Sequence, residues 1–502
     1  MNWIRRWEPW LAVGGGILAA LSMPGLGAAP LVFVALIPLF AALDRAHRVR
    51  EGFLYGYLFG IAFFAIEVRW VLTLMRFNPL VAAGYPVLVA YLALPIGIVG
   101  GLMAWRSDRI SRWTWLLLAP ALIVLAEAFR TLGTLGMGFS MLHQALYRIP
   151  WLIQSAGVFG SWFVTSAIVA INAALFLAWR ERGASRTGGL RHAITAVGLF
   201  LLLPAFWLLP AWEAIDDPSL AIAVVSSNVD QAFKLDARNL PVLVDRFLVL
   251  GESAIATEPD LVVFPESFLP AYILDADAAF GRLADLARRG DTRLLFGTGT
   301  YRNGEIYNSV ALVDESGDVL ATYDMLRPVP FGEYVPGRGL LEAIGLGAWA
   351  KALLPIDLTR GNDYRPLDGI GTPICFESTF PTASRRLTRA GASLLVTVTN
   401  DAWFGGSSEL RAHFATAVFR AVENRRAVVQ AANGGVSGFV DARGRIVAET
   451  TDETVTTARV RHSEVRSLYT QWGDGPWLFL MGGVAAGHLA WRLRRLRKGT
   501  RE

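Results

Sequence analysis

Cys375 is the single cysteine of this 502-residue chain, and Glu377 follows it in the run Pro373-Ile374-Cys375-Phe376-Glu377-Ser378. A thiol becomes a good nucleophile when a base or a cationic environment helps to remove its proton. One cysteine excludes an intramolecular disulfide and any cysteine-rich metal or iron–sulfur site. The segment therefore predicts either a nucleophilic thiol or a small buried apolar side chain.

Carboxylates stand at the ends of two further apolar runs and in a proline-rich segment. Glu266 follows the run 261–264, Asp401 follows the run 394–399, and Glu333 lies within 328–336, which is too rich in proline to be helical. In α/β domains functional groups concentrate where strands end, and a buried carboxylate is costly without a partner or a task. These residues are candidate acid–base groups, and the alternative is that they cap turns by bonding the backbone.

A cysteine–histidine pair is the competing arrangement. His413 begins a helix-like stretch well after Cys375, and in the region 213–470 the only other histidine is His462. Nothing in the local sequence marks His413 as the partner of a catalytic thiol.

The composition indicates a membrane protein. Hydrophobic residues make up 53% of the chain and charged residues only 18%, against about a quarter in soluble proteins. This excludes an ordinary cytosolic enzyme and a disordered chain. The net charge of +5 does not indicate nucleic-acid binding, because the basic residues lie mostly in short loops beside apolar runs.

The order of apolar runs and arginines predicts a topology. Runs suited to crossing the bilayer lie at 9–25, 28–43, 52–74, 80–105, 113–130, 150–179, 192–212 and 474–492. Arginines cluster in alternate loops, at 5–6, 45–50, 106–112, 180–191 and 492–498. The positive-inside rule then places both termini in the cytoplasm. We expect a membrane domain at 1–212 with about seven transmembrane helices, an external catalytic domain at 213–470, and a C-terminal transmembrane helix with a basic cytoplasmic tail at 471–502.

The region 213–470 alternates strand-like and helix-like patterns, which favours an α/β layered domain. Strands are expected at 220–226, 261–264, 293–298, 309–313, 374–376, 394–399, 428–431 and 436–440, helices at 278–289 and 411–430, and hairpin turns at 314–318 and 441–444.

Four motifs, in this order and spacing, resemble those of the apolipoprotein N-acyltransferases, membrane-anchored members of the carbon–nitrogen hydrolase (nitrilase) superfamily. They are Phe264-Pro265-Glu266-Ser267, the segment 329–336, Ile374-Cys375-Phe376-Glu377 and Asn400-Asp401-Ala402-Trp403-Phe404-Gly405. The resemblance covers nearly the whole chain. It implies a multi-pass α-helical membrane domain and an extracytoplasmic nitrilase-like α-β-β-α sandwich with a Glu-Lys-Cys triad.

The resemblance also implies a mechanism. Glu266 would be the general base and Cys375 the nucleophile, which takes an acyl chain from a phospholipid as a thioester. The amine of a diacylglyceryl-modified N-terminal cysteine would then receive the chain as an amide. Glu333 and Glu377 match additional acidic positions, and we expect Asn400, Trp403 and Phe376 on the substrate side; Phe376 stands where relatives often have tyrosine. The resemblance implies no cofactor and no metal.

Met325 stands where the family has its catalytic lysine, eight residues before Glu333. Methionine neither carries charge nor donates a hydrogen bond. Three accounts stay open: Arg327, two residues on, substitutes as the cation; the enzyme is impaired; or Lys351 or Lys234 approaches, for which the spacing gives no support. Of these, impaired activity is the prediction.

The partners expected are a phospholipid donor, an apolipoprotein acceptor and the bacterial plasma (inner) membrane, with no nucleic acid and a monomeric state. The alternatives are a membrane-anchored nitrilase-like amidase or hydrolase, and a catalytically silent lipoprotein-binding member. The apolar segment 340–346 is expected either to dip toward lipid as a lid or to pack on its own domain as an amphipathic helix.

Overall fold

The computed structural model describes residues 7–105, 110–183, 185–208 and 219–499, without the side chains of Asp277 and 495–499. The chain divides into two compact units, one formed from 1–132, 139–210 and 472–502 and the other from 133–138 and 211–471. The predicted domain boundary at 212–213 lies outside the described residues, as do the arginines at 5–6 and at 106 and 109.

The first unit is helical. Its described α-helices are α1 (Glu8–Ser22), α2 (Ile37–Leu43), α3 (Val49–Glu67), α4 (Val81–Ala104), α5 (Ala119–Arg130), α6 (Ala156–Phe159), α7 (Ser161–Glu181) and α8 (Arg186–Ala205), and, after the second unit, α17 (Gly475–Gly499). The pair α3 and α4 packs closely because of glycine: a Cβ added at Gly56 would lie 2.3 Å from the Ile96 carbonyl oxygen.

Four of the described helices are long and apolar enough to cross a membrane: Val49–Glu67, Val81–Ala104, Ser161–Glu181 and Arg186–Leu208. Together with the apolar composition, they support the prediction of a membrane domain. The expected total of about seven spans in 1–212 stays a prediction.

The second unit contains the strands. They are β1 (Ser219–Ser226), β2 (Leu261–Val263), β3 (Arg293–Arg302), β4 (Glu305–Val313), β5 (Val319–Asp324), β6 (Ile370–Gly371), β7 (Leu394–Asn400), β8 (Val428–Asn433), β9 (Ser437–Val440), β10 (Ile446–Thr450) and β11 (Thr454–Arg461). Its helices are α9 (Gln231–Leu235), α10 (Leu240–Ile255), α11 (Asp277–Gly290), α12 (Arg338–Ala343), α13 (Gly347–Leu353), α14 (Pro381–Arg389) and α15 (Glu409–Asn424), with α16 (Leu468–Trp472) at its end.

The described strands form two mixed sheets, in the orders β11-β1-β2-β3-β4-β5 and β10-β9-β8-β7-β6. Strands β1, β2 and β3 are parallel, as are β6, β7 and β8. Hairpins add β4 and β5 to the first sheet and β9 and β10 to the second, and β11 pairs antiparallel with β1. The sheets pack against each other, α10 covers the first, and α14 and α15 cover the second. This is the expected α-β-β-α sandwich.

Valine-rich strands and aromatic side chains build the core beneath α10 and α11. Phe247 of α10 packs edge-to-face on Phe268, which in turn stacks on Phe264 directly after β2. All three rings are buried. This core fixes the end of β2, and Glu266 lies just beyond it.

Two local predictions are wrong. The run 374–376 is not a strand beyond Ile374, because a 3-10 helix begins at Cys375. The helix predicted at 411–430 ends at Asn424, since Arg425 adopts a left-handed φ of 52° and β8 begins at Val428. The hairpin turns at 314–318 and 441–444 are confirmed, joining β4 to β5 and β9 to β10.

Candidate active site

Cys375 lies on a sharp turn at the edge of the second sheet. Ile374 bridges to Val398 of β7, and Cys375 then adopts a left-handed φ of 44° and opens the 3-10 helix Cys375–Thr379. Backbone strain of this kind persists where the surrounding structure holds a residue in place, and it is common at active sites. Cys375 as a residue is half-buried, and its backbone is fixed by the turn.

Polar groups of the second sheet surround the thiol. The Thr399 hydroxyl lies 3.3 Å from Cys375 Sγ and 2.6 Å from Asp401 Oδ1. Burial raises the pKa of the Cys375 thiol well above its usual value, and the charges of Glu266 and Asp401 raise it further. The environment therefore disfavours a thiolate unless a base and a positive charge compensate.

Glu266 is buried next to the thiol. Its Oε1 accepts a hydrogen bond of 2.6 Å from the Asn308 side-chain amide, whereas Oε2 has no N–H or O–H partner among the described residues. Burial raises the pKa of this carboxyl, and hydrogen bonds from Asn308 and the Cys375 thiol partly offset that rise. Gly297 of β3 permits the close approach, since a Cβ there would lie 2.5 Å from Glu266 Cα.

Glu333 is joined to Glu266 through Asn308. The same amide nitrogen donates to Glu333 Oε1 at 2.9 Å, and the Val329 backbone N–H donates to Glu333 Oε2 at 2.7 Å. Burial and the charge of Glu266 raise the pKa of Glu333 to about 7. Asn308 is a site residue that sequence reasoning missed. The signal available in the sequence was a polar residue directly before the apolar run 309–313.

Met325, which the resemblance predicts to stand at the position of the family lysine, is buried. Its backbone N–H donates to the Asn308 carbonyl at 2.8 Å, and the Asn308 amide nitrogen lies 3.7 Å from its sulfur. The thioether therefore lies beside the amide that holds Glu266, and it contributes no charge there.

The described contacts of Arg327 include those with Phe380 and Gly133. Its guanidinium lies 3.4 Å above the centre of the Phe380 ring and donates to the Gly133 carbonyl at 3.2 Å. Burial lowers the pKa of Arg327.

Lys234, on the short helix α9, is buried at the site with 3% of its surface exposed. Its Nζ donates to the main-chain carbonyl of Glu266 at 3.4 Å. Burial lowers the pKa of Lys234 to about 8, while the charges of Glu266 and Cys375 oppose this shift. Lys351 lies on α13 with its side chain exposed.

Glu377 ties the nucleophile turn to the segment after β5. It accepts hydrogen bonds from the Tyr323 hydroxyl at 2.9 Å and from the backbone N–H groups of Leu326 at 3.1 Å and Ile374 at 3.2 Å. Burial raises the pKa of Glu377 to about 7. These contacts hold the Tyr323 hydroxyl and the backbone of Leu326 and Ile374 to Glu377, which lies two residues after Cys375.

The residues expected on the substrate side separate into two groups. Phe376, edge-to-face with Phe380, and Trp403 are half-buried. Asn400 is buried, with its amide donating to Gln231 Oε1 at 3.0 Å and its oxygen accepting from Asn433 at 2.9 Å. Asn400 therefore supports α9.

A buried cluster of Asp401, Glu409 and His413 lies behind Cys375. His413 Nδ1 is 3.0 Å from Asp401 Oδ1, and Nε2 is 3.1 Å from the Cys375 carbonyl oxygen. Burial alone would lower the pKa of His413, but Asp401 and then Glu409 outweigh it and raise the pKa to about 9. One potential ligand atom of each residue lies within 4.8 Å of the others, and His413 Nδ1 contacts Asp401 Oδ1 directly. The imidazole contacts the Cys375 carbonyl, an arrangement that positions the turn.

Comparisons with known proteins identify relatives of this chain. Residues 223–470 match the profile of the carbon-nitrogen hydrolases, and residues 15–174 match that of the apolipoprotein N-acyltransferase N-terminal domain. The apolipoprotein N-acyltransferase of Geobacter metallireducens is 33% identical over 97% of this chain and 96% of its own length. The one from Gloeobacter violaceus is 29% identical over 98% and 95%. Among solved structures, the C. elegans NitFhit protein covers 52% of this chain and 65% of its own, at 20% identity and a TM-score of 0.40.

Proposed function

The chain belongs to the apolipoprotein N-acyltransferases, and from this premise we propose that it transfers an acyl chain from a phospholipid, through a thioester on Cys375, to the N-terminal amine of a diacylglyceryl-cysteine. One observation carries the proposal. The half-buried thiol lies beside a Glu266 carboxylate whose Oε1 is fixed by Asn308 and whose Oε2 has no N–H or O–H partner among the described residues.

In the first half-reaction the Cys375 proton passes to Glu266 Oε2, and the sulfur attacks the ester carbonyl of the phospholipid. The carbon–oxygen bond to glycerol breaks, and Glu266 returns the proton to the departing oxygen. The products are a thioester on Cys375 and a lysophospholipid. The raised pKa of Glu266 suits both steps, since a general acid–base group works best near the ambient pH.

In the second half-reaction the neutral amine of the acceptor attacks the thioester carbonyl. Glu266 takes a proton from the nitrogen, the carbon–sulfur bond breaks, and the sulfur leaves as the thiolate and is reprotonated from Glu266. An amide forms and the free thiol is restored. Glu333, which shares the Asn308 amide with Glu266, is placed to steady this carboxylate as it gains and loses the proton.

Both substrates carry long acyl chains, so the reaction belongs at a bilayer surface. Each buried methylene is worth about 0.8 kcal/mol, and drawing a whole chain into water is prohibitive. The arginine pattern supports a catalytic domain on the extracytoplasmic face of the bacterial inner membrane, with both termini in the cytoplasm. We expect Phe376, which follows Cys375 in the chain, and Trp403, both half-buried, to contact the acyl chain.

The test is a two-step incubation of the purified full-length protein in detergent. Phospholipid with a labelled acyl chain should add one acyl mass to Cys375, and a diacylated lipopeptide should then remove it as an amide. The Cys375→Ala variant is the control that must show neither step. Release of labelled fatty acid without amide would instead establish a hydrolase, and no acyl adduct at all would establish a catalytically silent protein.

A further inference from the structure

Several carboxylates lie around Cys375, and their negative charges oppose the formation of a thiolate. The thiol faces three carboxylates: Glu266 after β2, Asp401 after β7 and Glu333 in the loop 328–336. Each of them disfavours a thiolate. The neighbouring imidazole of His413 is already paired with Asp401 and lies 3.7 Å from Glu409. A charge that develops on sulfur therefore needs a separate cation, and Met325 cannot supply it.

We propose that Lys234 supplies this positive charge from α9, in place of the lysine that relatives carry at the position of Met325. The proposal deepens the proposed function and rests on it. Lys234 lies in a different part of the chain from position 325, and its ammonium contacts the main-chain carbonyl of Glu266.

The environment of the ammonium group supports this role. Lys234 Nζ carries three protons, yet its one described side-chain hydrogen bond is the 3.4 Å contact with the Glu266 carbonyl. A buried ammonium is costly unless an opposite charge compensates it. The groups whose negative forms would raise its pKa are Glu266 and, once its proton has left, Cys375. An ammonium held by them has protons left for charge that develops during the reaction.

A chain of side-chain amides fixes the position of α9. Gln231, three residues before Lys234, accepts from Asn400 at the end of β7, and Asn400 accepts from Asn433 at the end of β8. Asn433 in turn accepts from the Val229 backbone N–H at 2.9 Å, just before α9. Asp230 caps the helix by accepting from the Ala232 N–H at 2.8 Å. Lys234 is therefore held on the strand ends that also hold Asp401.

The charge acts at one stage of the reaction. When the Cys375 proton moves to Glu266, the negative charge moves from the carboxylate to sulfur, and Lys234 faces both positions. The ammonium keeps its proton throughout, so no proton is lost or gained by the site. Lys234 thus stabilises the thiolate without taking part in bond making.

The decisive experiment is the pH dependence of Cys375 alkylation by iodoacetamide in the full-length protein. Lys234→Met should raise the apparent pKa of the thiol by about one unit, and the alkylation rate near pH 7 should fall roughly tenfold. Lys351→Met, which removes an exposed lysine, should leave the profile unchanged. The double variant K234M/M325K should regain most of the lost rate, because the second substitution returns a cation to the site.

A second measurement covers a Lys234→Met protein that does not fold. The chain has three lysines, so lysine labelled at its ε-carbon gives three NMR signals. One signal should titrate near pH 8 and should move to lower pH in Glu266→Gln, because the opposing charge is gone. A wild-type profile for Lys234→Met, or a buried-lysine signal unaffected by Glu266→Gln, would overturn the proposal.

The alkylation assay needs no phospholipid, so the two proposals can fail separately. If the wild-type protein transfers no acyl chain but Lys234→Met still shifts the thiol titration, the proposed function is wrong and the cation assignment stands. If acyl transfer proceeds and the titration does not shift, Lys234 has no electrostatic role and the proposed function stands.

Discussion

The side-chain amide of Asn308 holds one oxygen of Glu266 at 2.6 Å, and the other oxygen has no N–H or O–H partner among the described residues. A base held at one end keeps its orientation while it gains and loses a proton. We therefore expect both the Glu266 carboxylate and the Asn308 amide to contribute measurably to the reaction rate.

Replacing the base should stop acyl-enzyme formation. Glu266→Gln keeps the shape and the Asn308 contact but cannot accept the thiol proton, so we expect thioester formation to slow by about 10²–10⁴-fold. Mass spectrometry of Cys375 after timed incubation with phospholipid measures the rate. Glu464→Gln, at an exposed position of the same unit, is the matched control and should react at the wild-type rate. Equal rates for both variants would exclude Glu266 as the base.

Removing the Asn308 amide should lower both the stability of the protein and the rate of thioester formation. Asn308→Ala leaves Glu266 and Glu333 without the shared donor, and losing hydrogen bonds to buried carboxylates costs about 1–3 kcal/mol. Thermal unfolding in detergent should show a lower midpoint. Adding Glu333→Gln to Asn308→Ala removes one of the two stranded charges and should recover part of the loss. Strictly additive losses would mean that the three side chains are not coupled.

Stability should depend on pH through His413. Its pKa is raised from 6.5 to about 9 in the folded protein, so its contribution is fully present below about pH 6.5 and is lost as pH rises through 9. The difference in unfolding midpoint between wild type and His413→Asn should therefore be largest at pH 6 and shrink toward pH 9.5. A difference that grows with pH would show that the imidazole is neutral in the folded state.

Arg327 should be dispensable for the thiol titration. Arg327→Gln removes the stacking on Phe380 and the bond to the Gly133 carbonyl, so the unfolding midpoint should fall modestly. The pH profile of Cys375 alkylation should stay within a few tenths of a unit of wild type. A shift of a full unit would favour the account in which Arg327 replaces the missing lysine.

The segment 340–346 should engage lipid. It includes the end of α12 and the turn to α13, and its side chains Leu340 and Ile344 are 67% and 62% exposed. We expect the double variant L340Q/I344Q to raise the apparent KM for phospholipid severalfold, because apolar contact with the bilayer is lost. Its alkylation rate should not change. Leu320→Gln, at an exposed leucine on β5, is the control. An equal rise in KM for Leu320→Gln would show that any glutamine on the surface has this effect, and that the segment 340–346 does not contact lipid specifically.

The sequence identified the residues whose motifs are contiguous. Glu266, Glu333 and Cys375 each lie in a short recognisable run, and the end of β2, the loop 328–336 and the turn at Cys375 bring all three together. Lys234 could not be selected in this way. Its side chain reaches the site because α9 is held by amides from β7 and β8, a relationship that no spacing along the chain encodes.

The local errors have physical causes. An apolar run such as 373–376 has the composition of a strand, but the left-handed φ of Cys375 ends the extended backbone immediately before the thiol. The helical pattern at 411–430 continues past Asn424 into β8 because buried helices and buried strands share apolar residues. Both errors fall where tertiary structure overrides local preference.

Residues 133–138 cluster with the strand-bearing unit although they lie far before it in the chain. The Gly133 and Thr134 carbonyls accept from Arg327 and Tyr334, and Gly138 packs on Thr379, where a Cβ would approach to 2.4 Å. A soluble fragment cut out between about 213 and 470 would lack these six residues. Such a truncation would remove the contacts of Arg327, Tyr334 and Thr379 with these residues. Kinetic measurements on an excised fragment would therefore not describe the intact active site.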